Sequence, residues 1–428
     1  MKTNEKDTKR GVVPPLRFPE FSEAGEWAII TLNKLASRII KKNNEHICRV
    51  LTNSATDGVV DQTDYFDRNI VSEKNLHNYY VIENGDYVYN PRISTSAPVG
   101  PISKNYIGQG VMSPLYTIFR FHNDHNEFYN QYFKTKHWHK YLKNITNQGA
   151  RFDRINITTD DFMNMPIPAP CQKEQQKIAA CLSSIDALIK ATEKKIDELK
   201  AHKKGLMQQL FPAEGKTVPQ YRFPKFRNTA IWKEIPLSGI GETLQGYGFP
   251  EAYQGKEIGK YPFYKVSDIS KAIQRGNNYI SVAANYVDDE DVNTLKIKTI
   301  PIGTTIFARI GEAIRLNRRV ITTAECIIDN NTIGVKAIEG KATDLFVYYT
   351  LLQINLIDFA GGVVPAVTKA SIDNIPVYCP PTIAEQQKIA DCLSSVDDLI
   401  TAQTNRLEAL KAHKKGLMQQ LFPNTDEC

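Results

Sequence analysis

Two stretches of the chain carry one and the same spacing of apolar residues. In the first, Ile178, Leu182, Ile185, Ile189, Ile196, Leu199, Leu206 and Leu210 recur in alternating steps of four and three, with Thr192 and Lys203 filling the two gaps. In the second, Ile389, Leu393, Val396, Ile400, Leu407, Leu410, Leu417 and Leu421 follow the same rhythm, and Gln403 and Lys414 fill the equivalent gaps. Such a sustained a/d pattern predicts two long helices, each with one apolar seam. Pro380 and Pro381 block helix before Thr382, and Thr382 with Glu385 spells a capping box at the start of the second helix. The first begins after Pro170 with a weaker cap, and both stop at Phe-Pro, at Phe211-Pro212 and Phe422-Pro423. About 40 residues make a rod of roughly 60 Å. A rod cannot bury its seam alone. Each seam packs either on its own globular domain or on the other seam as an antiparallel pair, with one globular domain at each end. The matching lengths and breaks favour the second arrangement, in which Lys203, Lys414, Thr192 and Gln403 meet the opposite stripe and fix register. Lys190, Lys194, Lys195, Lys200 and Lys204 then stay on the outer face.

The two rods are copies. LKAHKKGLMQQLFP runs from Leu199 to Pro212 and, unchanged, from Leu410 to Pro423; upstream, EQQKIAACLSSIDALI from Glu174 matches EQQKIADCLSSVDDLI from Glu385. An earlier pair, VPPLRFPEF from Val13 and VPQYRFPKF from Val218, is followed by Trp27 and Trp232. The repeating unit is therefore linker, variable domain, helix, used twice. The boundaries expected are a tail and linker at 1–27, a first variable domain at 28–170, a central helix at 171–212, a linker at 213–232, a second variable domain at 233–381, a C-terminal helix at 382–423 and a tail at 424–428. Between the matching segments little similarity is visible. One part of each unit is constant and the other differs, as in a scaffold that holds two unlike readers.

Both variable domains read as mixed α/β, giving an α+β chain overall. Tyr79–Arg92 alternates around Asn84-Gly85 as a hairpin would, Gly110–Phe121 reads as a strand, and Phe128–Lys143 as a helix. In the second domain Lys260–Ile269, Thr304–Gly311 and Asn330–Ile338 are strand candidates, and Leu345–Ile354 is a helix candidate.

Composition changes this picture little. A formal charge of +6 fits contact with a polyanion without requiring it. The seven cysteines include no C-x-x-C pair, which argues against a disulfide framework or structural zinc site and for a reducing cytoplasm. The charged N-terminus has no apolar core of a signal peptide, and no run of about 18 apolar residues could span a membrane.

Several loops carry chemistry suited to DNA. In the first domain these residues are Asn90, Arg92, Ser94, Ser96, Lys104, Tyr106 and Gln109, with Arg151 further on. In the second they are Tyr247, Lys265, Arg309, Arg315, Arg318, Arg319, Thr368 and Lys369. Arginine reads guanine bidentately, Asn and Gln read adenine, and hydroxyls and lysines take phosphates. Catalytic patterns are missing. GKEIGKYP at Gly255 lacks the spacing of a phosphate-binding loop, and Tyr89-Asn90-Pro91-Arg92 falls short of the amino-methyltransferase motif. Gly246-x-Gly248 is too weak for a methyl-donor site, and His137-x-His139 lacks a visible third metal ligand. Two readers on a scaffold with no engine imply that other chains supply the engine.

The duplicated helices, the RFPxF linkers, the domain endings Met165–Pro170 and Ile375–Pro381, and the segments YPFYKVSDI and GGVVPAVTKASIDNIPV together resemble the specificity subunit of a type I restriction–modification system over nearly the whole chain. The resemblance implies that each variable domain is a target-recognition domain reading one half of an asymmetric bipartite DNA site. It implies that the helices set the gap between half-sites and dock two methyltransferase subunits, with restriction subunits joining that core. S-adenosylmethionine, ATP and magnesium would belong to those partners, and this chain would bind no cofactor and catalyse nothing. Two rival readings are a coiled-coil interaction scaffold that does not touch DNA, and an enzyme with an unrecognised site.

Overall fold

The computed structural model describes residues 11–65, 73–146 and 153–423. The chain divides into two compact units: residues 1–189 with 410–428, and residues 190–409. The two long helices run from Gln172 to Leu210 and from Ile383 to Leu421, 39 residues each, and each contributes one stretch to each unit. The units therefore cut across the helices.

In the first unit a four-stranded antiparallel sheet takes the order Ala36–Ile39, Thr117–Phe121, Tyr87–Tyr89, Ile102–Lys104. Its aromatic face, with Tyr87, Tyr89 and Phe119 fully buried, packs on helices Glu127–Phe133 and His139–Ile145. The second unit holds a five-stranded sheet in the order Gly241–Gln245, Thr332–Ala337, Thr305–Ala308, Arg319–Thr322, Tyr279–Ile280, and a three-stranded one around Tyr261–Tyr264. Each domain is closed by an antiparallel pair joining its first and last strands: Ala28–Thr31 with Pro166–Ala169, and Lys233–Pro236 with Pro376–Cys379.

Where local pattern met tertiary demand, the pattern lost in places. The turn expected at Asn84-Gly85 exists, but the flanking strands do not pair with each other: Tyr80–Ile82 pairs with Gly110–Met112, and Tyr87–Tyr89 with Ile102–Lys104 and Thr117–Phe121. The turn's peptide groups are taken by a different loop. Gly85 N donates to Asn105 O (2.8 Å), Asn105 N donates to Asp86 O (2.7 Å), and the Asn105 amide donates to Glu83 O (2.8 Å). Gly110–Phe121 is two strands separated by a turn, Phe128–Lys143 is two helices, and after Tyr264 the expected strand gives way to a helix from Val266 to Gln274.

All sixteen seam residues are at least half-buried, with Leu210 and Leu421 at the helix ends fully covered. Ile178, Leu182, Ile185, Ile196, Leu199, Ile389, Leu393, Val396, Ile400 and Leu407 are buried, while Ile189, Leu206, Leu410 and Leu417 are half-buried. Within each unit, rising numbers on one helix meet falling numbers on the other. In the first unit Asp186 meets Lys414, and Ile178 and Leu182 share a core with Leu417, Leu421 and Phe422. In the second, Leu199 packs with Val396 and Ile400, and Leu210 with Ile389 and Leu393. The two ways of covering a seam turn out to coexist. Near the start of each helix the seam is shared three ways, with the other helix and with the variable domain (Trp27 and Phe128 in one unit, Trp232 and Phe346 in the other).

Two pairs of ionic contacts repeat at equivalent positions. The linker arginine reaches the glutamate at the start of its unit's helix: Arg17 Nε to Glu174 Oε1 and Arg222 Nε to Glu385 Oε1, both 2.7 Å, with each glutamate side chain 1% exposed. Glu385 also accepts from Trp232 Nε1 at 3.2 Å, whereas Trp27 Nε1 finds no acceptor among the described residues. Half of the expected capping box forms, Glu385 N donating to Thr382 Oγ1 at 3.3 Å. The carboxylate does not close the box because Arg222 holds it.

The lysines in the seam gaps also find acids. Lys203 pairs with Asp397 at 2.6 Å and Lys414 with Asp186 at 2.5 Å, each within one unit. Each aspartate also ties to its variable domain. Asp186 accepts from Gln131 Nε2 (3.2 Å) and lies 3.6 Å from Lys134, and Asp397 accepts from the buried Tyr349 hydroxyl (2.7 Å). Burial works to raise the Asp186 carboxyl, but hydrogen bonding from Lys414 and the charge of Lys134 outweigh it and hold it below the ordinary carboxylate range.

Arg222→Ala leaves Glu385 buried without its partner, and urea unfolding should show a loss of about 3–5 kcal/mol, much of it recovered in Arg222→Met with Glu385→Met. A double-mutant cycle of Lys203→Met and Asp397→Asn should give a coupling of roughly 0.5–3 kcal/mol. Coupling near zero would mean that the contact adds nothing to helix pairing.

Candidate nucleic-acid interface

In the second domain the strand Thr305–Ala308 runs out into the loop that begins at Arg309. Three backbone bonds fix that exit: Arg309 N to Asn331 O (2.9 Å), Val367 N to Arg309 O (2.9 Å) and Gly311 N to Pro365 O (2.8 Å). Ile310 thus lies opposite Ala366. Just beyond, Thr368 caps a short helix, Lys369–Asp373, its hydroxyl accepting from Ser371 N at 3.0 Å. Tyr247 joins the same frame through its bridge to Asp329, two residues before Asn331. Gly246 is required there, because a Cβ would lie 1.8 Å from Asp329 O. This close approach accounts for Gly246, while a Cβ at Gly248 would meet nothing within 4 Å.

The first domain builds the same junction from a different sequence. The strand Tyr87–Tyr89 runs out into Asn90–Ile93. Ile93 N donates to Asp153 O (3.0 Å) and Ile155 N to Pro91 O (2.9 Å), so Arg92 lies opposite Arg154. Thr158 then caps the helix Thr159–Met163 by accepting from Asp161 N at 3.1 Å. Like charges directly opposite each other are unfavourable unless a counter-charge serves both. Arg92 is exposed with no carboxylate partner among the described residues, and Arg154 has Asp153 at 3.9 Å. Arg154 was missed from sequence; its signal is its place just ahead of a capped segment, ITTDDF, that corresponds to VTKASI.

The candidate residues divide by what their side chains already do. Arg92, Ser94, Ser96 and Gln109 are exposed on the first domain's loop, and Arg309 is half-exposed with no acidic partner among the described residues. Arg315 is exposed and paired with Glu312 at 3.1 Å. Others are engaged. Asn90 donates to Asn53 O (3.0 Å), and Lys104 is nearly buried against Glu127, which also accepts from the Tyr106 hydroxyl (2.6 Å). Lys265 donates to Gln254 Oε1 (2.7 Å) and lies over the Phe249 ring, Arg318 donates to Ser270 Oγ (2.9 Å), and Lys369 donates to Thr243 O (2.9 Å).

Arg319 is a correction. It is 1% exposed, at the first position of an inner strand, with Nη2 donating to Ile354 O at 2.7 Å and the guanidinium over Phe307. Burial pushes its pKa down to about 10. A side chain sunk this deep cannot reach a duplex. Arg151 lies outside the described residues.

A concave site that the loop residues alone did not reveal lies in the first domain. A cleft of ≈ 610 Å³ is lined by Ser96, Lys104, Tyr106, Lys134, Lys136 and His139, among others. Burial, and then the charges of Lys143 and Lys136, push the His139 imidazole down to about 4. Burial and the repulsion of Lys414 also hold the Lys134 ammonium below its ordinary range. The cleft is cationic, because KTKHWHK packs its Trp138 inward and turns its lysines out. No group of three or more His, Cys, Asp or Glu side chains among the described residues is placed to hold a metal ion, and no helix among them is long and apolar enough to cross a membrane.

Residues 26–201 and 230–412 each match the family described as "Type I restriction modification DNA specificity domain". The "Putative type I restriction enzyme MjaX specificity subunit" of Methanocaldococcus jannaschii is 28% identical over 305 residues, which span 68% of this chain and 65% of that relative. The type I restriction enzyme MjaIX specificity subunit of the same organism is 24% identical over 307 residues, spanning 69% of this chain and 68% of that protein. Among solved structures, the S subunit of a type I restriction–modification system from M. genitalium superposes with a TM-score of 0.59 at 14% identity, covering 96% of this chain and 99% of that one. The folds agree despite the low identity. With two matching regions that together fill most of its length, the chain belongs to the type I restriction–modification DNA specificity domain family.

Proposed function

We propose that this chain is the sequence-reading subunit of a type I restriction–modification complex, with each variable domain reading one half of an asymmetric bipartite DNA site. One observation carries the reading. The same junction, a loop leaving an inner strand and bridged to the segment before a threonine-capped helix, is built once in each domain from dissimilar residues, and in both it presents arginine. A constant mount with a changing surface suits two readers of different sequences. Arg92, Arg154, Arg309 and Arg315 take base edges or phosphates, and Ser94, Ser96, Gln109 and Tyr247 support them.

The opposed helix stretches inside each unit support an antiparallel coiled coil with pseudo-two-fold symmetry, in which rod length sets the gap between half-sites. The duplicated outer faces suit a partner that docks twice, and in this reading that partner is a methyltransferase subunit, with restriction subunits joining the assembly. S-adenosylmethionine, ATP and magnesium belong to those chains. This chain contributes recognition without catalysis, in the cytoplasm where such a complex meets DNA.

Inserting four residues, about one helical turn, into the central helix should change the gap in the methylated sequence and leave both half-sites intact, as read by methylation-site mapping in cells carrying the chain and its partners. Altered half-sites with an unchanged gap would defeat the spacer role. Replacing residues 28–165 with a relative's equivalent should exchange one half-site only. Binding of the assembled complex to duplex DNA should weaken steeply with salt, and Arg92→Gln and Arg309→Gln should each lower the slope of log affinity against log salt by roughly one if they contact phosphate. Salt-independent binding, or none, would favour an interaction scaffold.

A further inference from the structure

The junction of the second domain carries a feature that arginines do not explain. Gly361 and Ala366 face each other and exchange two backbone bonds (3.0 and 3.1 Å), closing a four-residue tip, residues 362–365. Gly362 takes the reversal at φ +91°, a conformation that side chains rarely adopt. The tip is pinned a second time by Gly311 N to Pro365 O and Val367 N to Arg309 O, and a third time by Val367, which is fully buried. On this rigid mount stand Val363, 104% exposed, and Val364, 58% exposed. Ile310 and Leu316 on the neighbouring loop are also exposed, at 40% and 55%.

A loose loop would fold such residues away. Here the pinned backbone, proline and stiff β-branched side chains prevent that, so the exposure is imposed. What borders the tip indicates the occupant. Arg309 is bonded to the tip's C-terminal arm through its carbonyl and has no acidic partner among the described residues, Arg315 is on the adjoining loop beside Glu312, and Lys369, which donates to Thr243 O, follows the tip, while residues 361–371 contain no acid. An apolar point framed by cations matches the chemistry of duplex DNA, whose phosphates take the cations while apolar side chains enter between stacked bases or lie against them. The first domain lacks this pairing: its equivalent bridge is Arg92 with Arg154.

We propose that the Gly361–Ala366 tip is an apolar wedge, with Val363 and Val364 entering the duplex at a base step of the second half-site and Arg309 and Arg315 holding the flanking phosphates. The proposal rests on the DNA-reading role given above and names the part of that surface that distorts the duplex.

The test uses the full chain assembled with its methyltransferase partners, and duplexes of the mapped site carrying 2-aminopurine at successive positions of each half. Wild type should raise 2-aminopurine fluorescence at one step of the second half-site. Val363→Ser with Val364→Ser should abolish that rise and weaken binding roughly tenfold, while the melting temperature of the complex stays unchanged. Val363→Ile should keep the rise. Equal fluorescence and affinity in wild type and the serine variant would overturn the wedge and leave the DNA-reading role standing. A serine variant that fails to assemble but binds DNA normally would make the tip a protein contact, which also overturns it. Wild type that binds no duplex would remove the DNA-reading role itself, and the wedge with it.

Discussion

The constraint on which the rest depends is that a 39-residue helix with one apolar seam needs cover along its whole length. In each unit the cover comes from an oppositely directed stretch of the other long helix, and near the helix start from the variable domain as well. Because domain and helices share one core there, the domain cannot swivel on its helix without opening apolar surface. The rigidity of each variable domain on the helices thus follows from the same burial that covers the seams.

Charge adds specificity to that burial. Arg17 with Glu174 and Arg222 with Glu385 fasten each linker to the helix of its own unit. Asp186 and Asp397 each bind a lysine of the opposing helix stretch and a polar side chain of the neighbouring domain. An apolar seam tolerates sliding by one heptad; an aspartate with two directional partners does not. Ion pairs at such sites often add little net stability, since desolvation offsets much of the attraction.

On this fixed frame the two domains differ where variation is harmless to the core. The inner strands, the closing pair and the capped helix place a loop junction in the same way twice, and the bridged residues change from Arg92 and Arg154 to Ile310 and Ala366. The folding requirement falls on backbone bonds and buried aromatics, which leaves the exposed side chains free to encode different surfaces.

The helices, their seams and their near-identity were legible from sequence because heptad spacing and repetition are local, periodic signals. So were the Thr382 cap and the location of the two polar loops. Tertiary structure decided what depends on partners distant along the chain. The strands flanking Asn84-Gly85 separated because Asn105, a residue of another loop, took the turn's peptide groups. Arg319 turned into the core, although Arg315 on the preceding loop is exposed, because it opens an inner strand buried along its length and the Ile354 carbonyl accepts from its guanidinium. The glutamate of the expected capping box went to Arg222. Arg154 and the cationic cleft around Lys134 came into view only once Asp153 and Ile155 were bonded to the loop at Arg92 and Trp138 was packed inward. Periodicity records which face of an element is apolar; it does not record which remote group will satisfy a hydrogen bond or a charge, and that choice places every side chain of the interface.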